Sequence, residues 1–233
     1  MGRSLTLIPF KHCWIYEDCL KDGILAGFTR PHIQNIQQIS LVLDELKVKA
    51  EISYLHQIHS EIIHSTDRPG CLCGDGLLTS SEHLILIVKT ADCMPLLLYE
   101  QEGKNIGAVH MGWKSAVNGI LSNLPSNLLN YRLVAGPALR PCCYEVGKEF
   151  LHYALPETCL TPREKKEGGD GKLTFDPVAF TRQILFSRGL KDENVTDAGI
   201  CTFCHPLSLP SYRRTKNRDR IFNFIMKDQR KRE

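Results

Sequence analysis

The segment TADCMP, residues 90–95, places a cysteine between two apolar runs, HLILIVK before it and LLLY after it. Free cysteine is among the residue types most often buried, so packing is the plain reading of Cys93. Chemistry at its thiol depends on what else in the chain can reach it. On a strand through residues 52–63, alternation puts Leu55, Gln57, His59 and Ile63 on one face, with Tyr54, His56 and Ile58 on the other. In IGAVHMGW, His110 closes the row begun by Ile106 and Ala108 and precedes Gly112, where backbone can approach a ligand. That pattern fits a site at the rim of a sheet. A histidine is more often a satisfied core or surface residue, and His12, His32, His64, His83, His152 and His205 are read so.

The elements that must hold these residues are legible in outline. NIQQISLVLDELKV (34–47) has Ile36, Ile39, Leu43 and Leu46 at helical spacing. AEISYLHQIHSEIIHST favours strands, GDGLLTSSE a turn into a short strand, and residues 84–100 two strands around Cys93. IGAVHM and YRLVAGP read as buried strands, GWKSAVNGILSNL as a helix, and EKKEGGDGK (164–172) as an exposed loop. DPVAFTRQILFSRGL has Pro177 in its first turn and Gly189 at its end, the asymmetry expected of a helix. VTDAGI and RIFNFIM close the chain as strands. Helices and strands mix without strict alternation, so the expected fold is α/β (mixed α+β), one domain over residues 1–233.

Composition excludes several classes. The chain has 233 residues, 42% hydrophobic and 24% charged, ordinary for a globular protein with a real core. No run approaches the ~18–20 apolar residues of a spanning helix, so no membrane is expected. A net charge of +3 is too mild to argue for nucleic acid, and residues 227–233 read as a solvated basic tail. With no secretory signal at the start, the ten cysteines are expected as reduced thiols in the cytoplasm. Their spacing is irregular: Cys71 and Cys73, adjacent Cys142 and Cys143, and the CTFC pair Cys201 and Cys204. Two CxxC-type pairs would signal a structural zinc, and a single such pair leaves that reading disfavoured.

QIHS, GDGLLT, TADCMPLLL, GAVHMGWKSAVNGI, GPALRPCCYEVG, FDPVAF, CTFC and SYRR occur in the order found in the YfiH/YlmD family. That family is also called the laccase-domain, polyphenol oxidase or PgeF family, and includes the animal protein FAMIN. The resemblance runs from about residue 25 to 226. The departures are small: Lys114-Ser115 stand where the family usually has Arg-Gly, and glycines flank Asp75 where alanines are common. The resemblance implies layered mixed sheets flanked by helices, and a metal held by His59, Cys93 and His110. Three protein ligands with an open fourth position are the pattern of a catalytic zinc. Coordination would also deprotonate a thiol that, with its ordinary pKa of ~8.5, is mostly neutral at pH 7.

The laccase name predicts copper. A Cys/His/His site could take copper, but multicopper oxidases resemble one another in paired His-x-His ligands. This chain has nine histidines and no His-x-His, so a copper polyphenol oxidase is disfavoured. What the family implies instead is zinc-dependent phosphorolysis of the purine nucleosides adenosine, inosine and methylthioadenosine, with some adenosine deamination, in a monomer or homodimer. A zinc with an open position suits the deamination, because it lowers the pKa of bound water. Phosphate would need cations, for which Lys114, Arg213, Arg214 and Arg220 are candidates. Asp92 is a candidate catalytic group, and Asp75 one that orients a ligand or binds substrate. Gln57 is a candidate for binding substrate, while Tyr144-Glu145 reads as structural. Two other classes stay open: a peptidoglycan-editing amidase removing L-serine from a UDP-MurNAc precursor, and a non-enzymatic metal-binding partner protein.

Overall fold

Residues such as Leu84 to Val88 are apolar at every position because the strand they form has no solvent face. In the computed structural model, which describes residues 6–153, 155–162 and 172–232, strand Leu84–Thr90 sits inside a seven-stranded sheet. Its spatial order is Leu7–Pro9, Cys13–Tyr16, Ile24–Thr29, Ile221–Lys227, Leu84–Thr90, Glu51–His56 and Gly70–Cys73. A second sheet of six strands runs Val195–Asp197, Tyr131–Ala135, Met94–Glu100, Ile106–Met111, Gly76–Thr79 and Ile63–Ser65. A small third sheet joins Glu145–Val146, Leu173–Phe175 and Leu160–Pro162.

Alternation divides the side chains among three cores. Leu84, Leu86 and Val88 meet Leu97, Ala108 and Val134 between the two large sheets. Ile85 and Ile87 point the other way, to Val42, Leu43 and Leu46 of helix Ile39–Leu46. On the far side of the six-stranded sheet, Val109 and Met111 pack with Ala116, Val178, Phe180 and Phe175. Helix, sheet, sheet, and an outer layer of short helices with the small sheet make one mixed α/β domain. Phe224, fully buried on the strand between Ile24–Thr29 and Leu84–Thr90, is a central element of this packing. Phe224→Ala is expected to destabilise the fold by about 3–5 kcal/mol, read as a lower urea midpoint at unchanged slope.

The chain departs from its expected elements in three places. The alternation through 52–63 breaks: strand Glu51–His56 ends, a loop follows, and the chain re-enters the other sheet at Ile63–Ser65. Gln57 and His59 therefore do not share a strand face. The helix expected over GWKSAVNGILSNL stops at Val117, because Gly119 turns left-handed at φ 90° before a 3-10 turn at Ile120–Asn123. The expected tail is docked rather than solvated at its start. Lys227 is buried with Nζ donating to the Ser80 carbonyl, and Gln229 and Arg230 donate to the carbonyls of Glu82 and Leu46. The loop expected at 164–172 lies, but for Lys172, outside the described residues. No described helix is long and apolar enough to cross a membrane.

Candidate metal centre

Strand Leu84–Thr90 belongs to one large sheet and Met94–Glu100 to the other, so the turn carrying Cys93 is where the chain passes between layers. Antiparallel pairing sets His110 opposite Pro95 and Met111 opposite Met94, which brings His110 to the same rim. The third residue arrives on the loop after strand Glu51–His56, parallel neighbour of Leu84–Thr90. His59 sits there at φ 59°, a left-handed conformation uncommon for a non-glycine residue. Cys93 Sγ lies 3.7 Å from His59 Nε2, and the ligand atoms of His59, Cys93 and His110 all fall within 4.8 Å of one another.

Asp75 builds this arrangement. Its carboxylate is fully buried and accepts from the backbone N–H groups of Ile58, His59 and Ser60, and from the Ser60 hydroxyl. It also accepts from His110 Nδ1 at 2.7 Å. One side chain thus pins the loop bearing His59 and fixes the His110 ring with Nε2 turned toward Cys93. A carboxylate behind a ligating histidine is the usual partner that sets tautomer and orientation. Fully buried, Asp75 is placed to hold the His59 loop and the His110 ring.

The charges respond to this packing. Burial alone would raise the Cys93 thiol, but His110 and His59 beside it bring it down to about 6. Burial alone would lower His110, yet the Cys93 thiolate and Asp75 raise it to about 9. Asp75 is held near 2, its burial outweighed by bonds from His110 and Ser60. Each shift favours a thiolate facing an imidazolium. Such a donor set fits a zinc ion: ideal Zn–S and Zn–N bonds at tetrahedral angles separate sulfur from nitrogen by about 3.5 Å. Binding would release the proton on His110 Nε2.

Gly112 closes the other side. A Cβ there would lie 2.7 Å from His59 Cδ2 and 3.2 Å from Cys93 Sγ, although its φ of −80° suits any residue. Gly112→Ala is therefore expected to fold normally while losing metal occupancy and activity together. Metal analysis beside a thermal melt checks this, and full occupancy in the variant would contradict it.

Asp92 lies beside Cys93 in the wall of a cleft, with its carboxylate bonded into the turn. At φ 90° its carboxylate accepts from Thr202 Oγ1, Ser211 Oγ and the Arg213 backbone N–H, so it shapes the turn that presents Cys93. Gln57 is also engaged: both ends of its amide pair with the Lys89 backbone, extending the sheet by one residue.

Two clefts open beside His59 and Cys93. One, of about 530 Å³, is lined by His56, Gln57, Lys89, Tyr212 and Arg220 beside His59, Cys93 and His110. The other, of about 510 Å³, has Trp113, Tyr144, Phe150, Arg213, Lys216 and Tyr212 in its wall. They share His59, Ala91, Cys93 and Tyr212. Arg220 and Arg213 thus reach the clefts. Lys114 lines neither, lying 5.7 Å above the Trp113 ring. Arg214 holds the carbonyls of Thr202, Phe203 and Leu209. Sequence reasoning missed Lys89, Lys216 and Tyr212. Lys89 had a signal, as the one charge in the run LILIVKT, and Tyr212 had one in the SYRR motif; Lys216 had none.

A family model described as "Multi-copper polyphenol oxidoreductase laccase" matches residues 32–228. The chain belongs to this family. It is 34% identical over 225 residues to a protein of Borreliella burgdorferi named purine nucleoside phosphorylase, covering 88% of this chain and 93% of that one. Over 217 residues it is 26% identical to purine nucleoside phosphorylase YfiH of Escherichia coli, covering 89% and 86%. The fold matches the crystal structure of the Bacillus licheniformis hypothetical protein YfiH with a TM-score of 0.80 at 22% identity, over 96% of this chain and 99% of that one. YlmD from Geobacillus stearothermophilus matches at 0.79 and 20%, over 97% and 99%. The layered architecture expected from the sequence is thus that of the YfiH family.

Proposed function

We propose that this protein is a zinc-dependent purine nucleoside phosphorylase acting on adenosine, inosine and methylthioadenosine, with accompanying adenosine deamination. The observation that carries this reading is the meeting of a cation-walled cleft and an aromatic-walled cleft at His59 and Cys93. The names of the relatives support the same reaction class.

Phosphorolysis forms a bond from a phosphate oxygen to ribose C1′ while the bond from C1′ to the purine nitrogen breaks. The electron pair leaves with the base. The enzyme must hold a polyanion against the sugar, seat a planar base and accommodate the developing charge. Trp113, Tyr144 and Phe150 offer the base apolar faces; the Trp113 and Phe150 rings are already 5.2 Å apart, centroid to centroid. Lys89 and Arg220 offer phosphate two cations on the opposite side of the ligand set. A zinc ion held by His59, Cys93 and His110 would supply Lewis-acid polarisation where the clefts meet. Asp75 keeps His110 Nε2 directed there, and Asp92 keeps the Cys93 turn in place.

This division of roles predicts a kinetic split. Arg220→Met is expected to raise KM for phosphate about ten- to a hundredfold, the cost of losing a charge-assisted contact of roughly 1.5–3 kcal/mol. Adenosine deamination, which uses no phosphate, should change little. Arg214→Met should lower thermal stability without that split. Steady-state kinetics with phosphate varied at fixed inosine reads the first effect, and an unchanged KM would remove Arg220 from the phosphate site.

A further inference from the structure

A second group of metal-ligating side chains lies outside both clefts. Cys142, Cys143, Cys201 and Cys204 bring their sulfur atoms within 4.8 Å of one another, with Cys142 Sγ and Cys204 Sγ 3.7 Å apart. The CTFC pair that looked alone in the sequence has its partner pair in the adjacent Cys142-Cys143. A bridge between Ala138 and Cys201 joins the two stretches, and the Thr202 N–H donates to the Ala138 carbonyl. Each pair sits in a tight turn: the Cys143 and Tyr144 N–H groups donate to the Arg140 carbonyl, and the His205 N–H to the Cys201 carbonyl. The backbone N–H groups of Cys204, Arg140 and Phe203 are directed at the Cys201 sulfur. N–H groups around a sulfur stabilise a thiolate ligand.

We propose that these four cysteines bind a second zinc ion in a closed, purely structural tetrathiolate site. Ideal Zn–S bonds of ~2.3 Å at tetrahedral angles place sulfurs about 3.8 Å apart, so the four thiols need shift by no more than about 1 Å to enclose the ion. With four protein ligands no position stays open for substrate. Cys142 and Cys204 are exposed, which leaves the metal a path in, while Cys201 is buried beneath them.

The placement gives the site a task. Thr202, between the two cysteines of CTFC, donates to Asp92, which shapes the Cys93 turn. Tyr144, next to Cys143, lines the aromatic cleft. A zinc ion clamping the two turns would therefore hold the back wall of the catalytic centre without touching substrate. The chain would carry two metals, one in each kind of site.

The test uses the whole protein loaded with cadmium as a zinc probe. Cadmium-113 NMR of the wild type should give two resonances, one in the range of a tetrathiolate and one in that of a mixed sulfur–nitrogen site. In Cys93→Ala the mixed-ligand resonance should vanish and the tetrathiolate one persist. In Cys142→Ser/Cys204→Ser the reverse should hold, with zinc falling by one equivalent and the thermal midpoint dropping. Because the wild type gives the primary readout, a variant that fails to fold leaves the test intact. A single mixed-ligand resonance would overturn the proposal and leave the catalytic centre standing. So would alkylation of all four thiols in native zinc-loaded protein, or a disulfide between Cys142 and Cys204 found by mass spectrometry of protein kept under alkylation.

Discussion

Cys93→Ala is expected to yield a folded protein that has lost metal binding at the junction of the clefts and, with it, release of purine base. The side chain lies on a turn between sheets, not in the apolar cores, so its removal leaves the three packing clusters intact. What remains is His59 and His110, two neutral donors on an ion that prefers four ligands. Losing an outer partner of a ligand already costs 10–100-fold in metal affinity or activity, and losing the thiolate itself should exceed the upper end of that range. Metal analysis after dialysis, with inosine turnover beside it, reads both effects. Undiminished metal at this centre in the variant, with the fold intact, would assign the ion to other ligands.

Asp75→Asn is the second large effect expected, and it comes from a residue that lines neither cleft. The carboxylate receives five donors, and replacing one oxygen with an NH₂ group sets donor against donor on one side. Each buried N–H left without an acceptor costs roughly 1–3 kcal/mol. Rotating the amide only moves the conflict from Ile58 and Ser60 to the His59 N–H and His110. The variant should bind zinc 10–100-fold more weakly and unfold at lower denaturant, with KM for inosine little changed once metal is saturating. A competition titration with a chelator measures the affinity. Wild-type affinity there would mean that His59 and His110 are oriented by something else.

How much of this was legible in the sequence follows from how local each cause is. Strands such as Leu84–Thr90, buried on both faces, announce themselves as apolar runs, and helix Pro177–Phe186 carries its own cap in Asp176. His110 is placed by simple alternation on Ile106–Met111. The loop at 57–62 was not legible, because its shape is imposed by Asp75 from a distant part of the chain, and the alternating pattern of 52–63 runs straight through it. Asp92 stood out beside Cys93, but its bonds to Thr202 and Ser211 were not legible, because those donors lie more than a hundred residues away. The four-cysteine cluster was hidden for the same reason. Irregular spacing disguises two pairs that meet through the pairing of Ala138 with residues 200–202.

The central claim is that the two clefts bring phosphate and a purine nucleoside together at His59, Cys93 and His110. The most direct measurement is product analysis of inosine incubated with zinc-loaded protein, with phosphate present and rigorously absent. The account predicts hypoxanthine and ribose 1-phosphate in equal amounts with phosphate, and negligible base release without it. Hypoxanthine appearing as fast without phosphate, with free ribose as the sugar product, would make the protein a hydrolase and contradict the account.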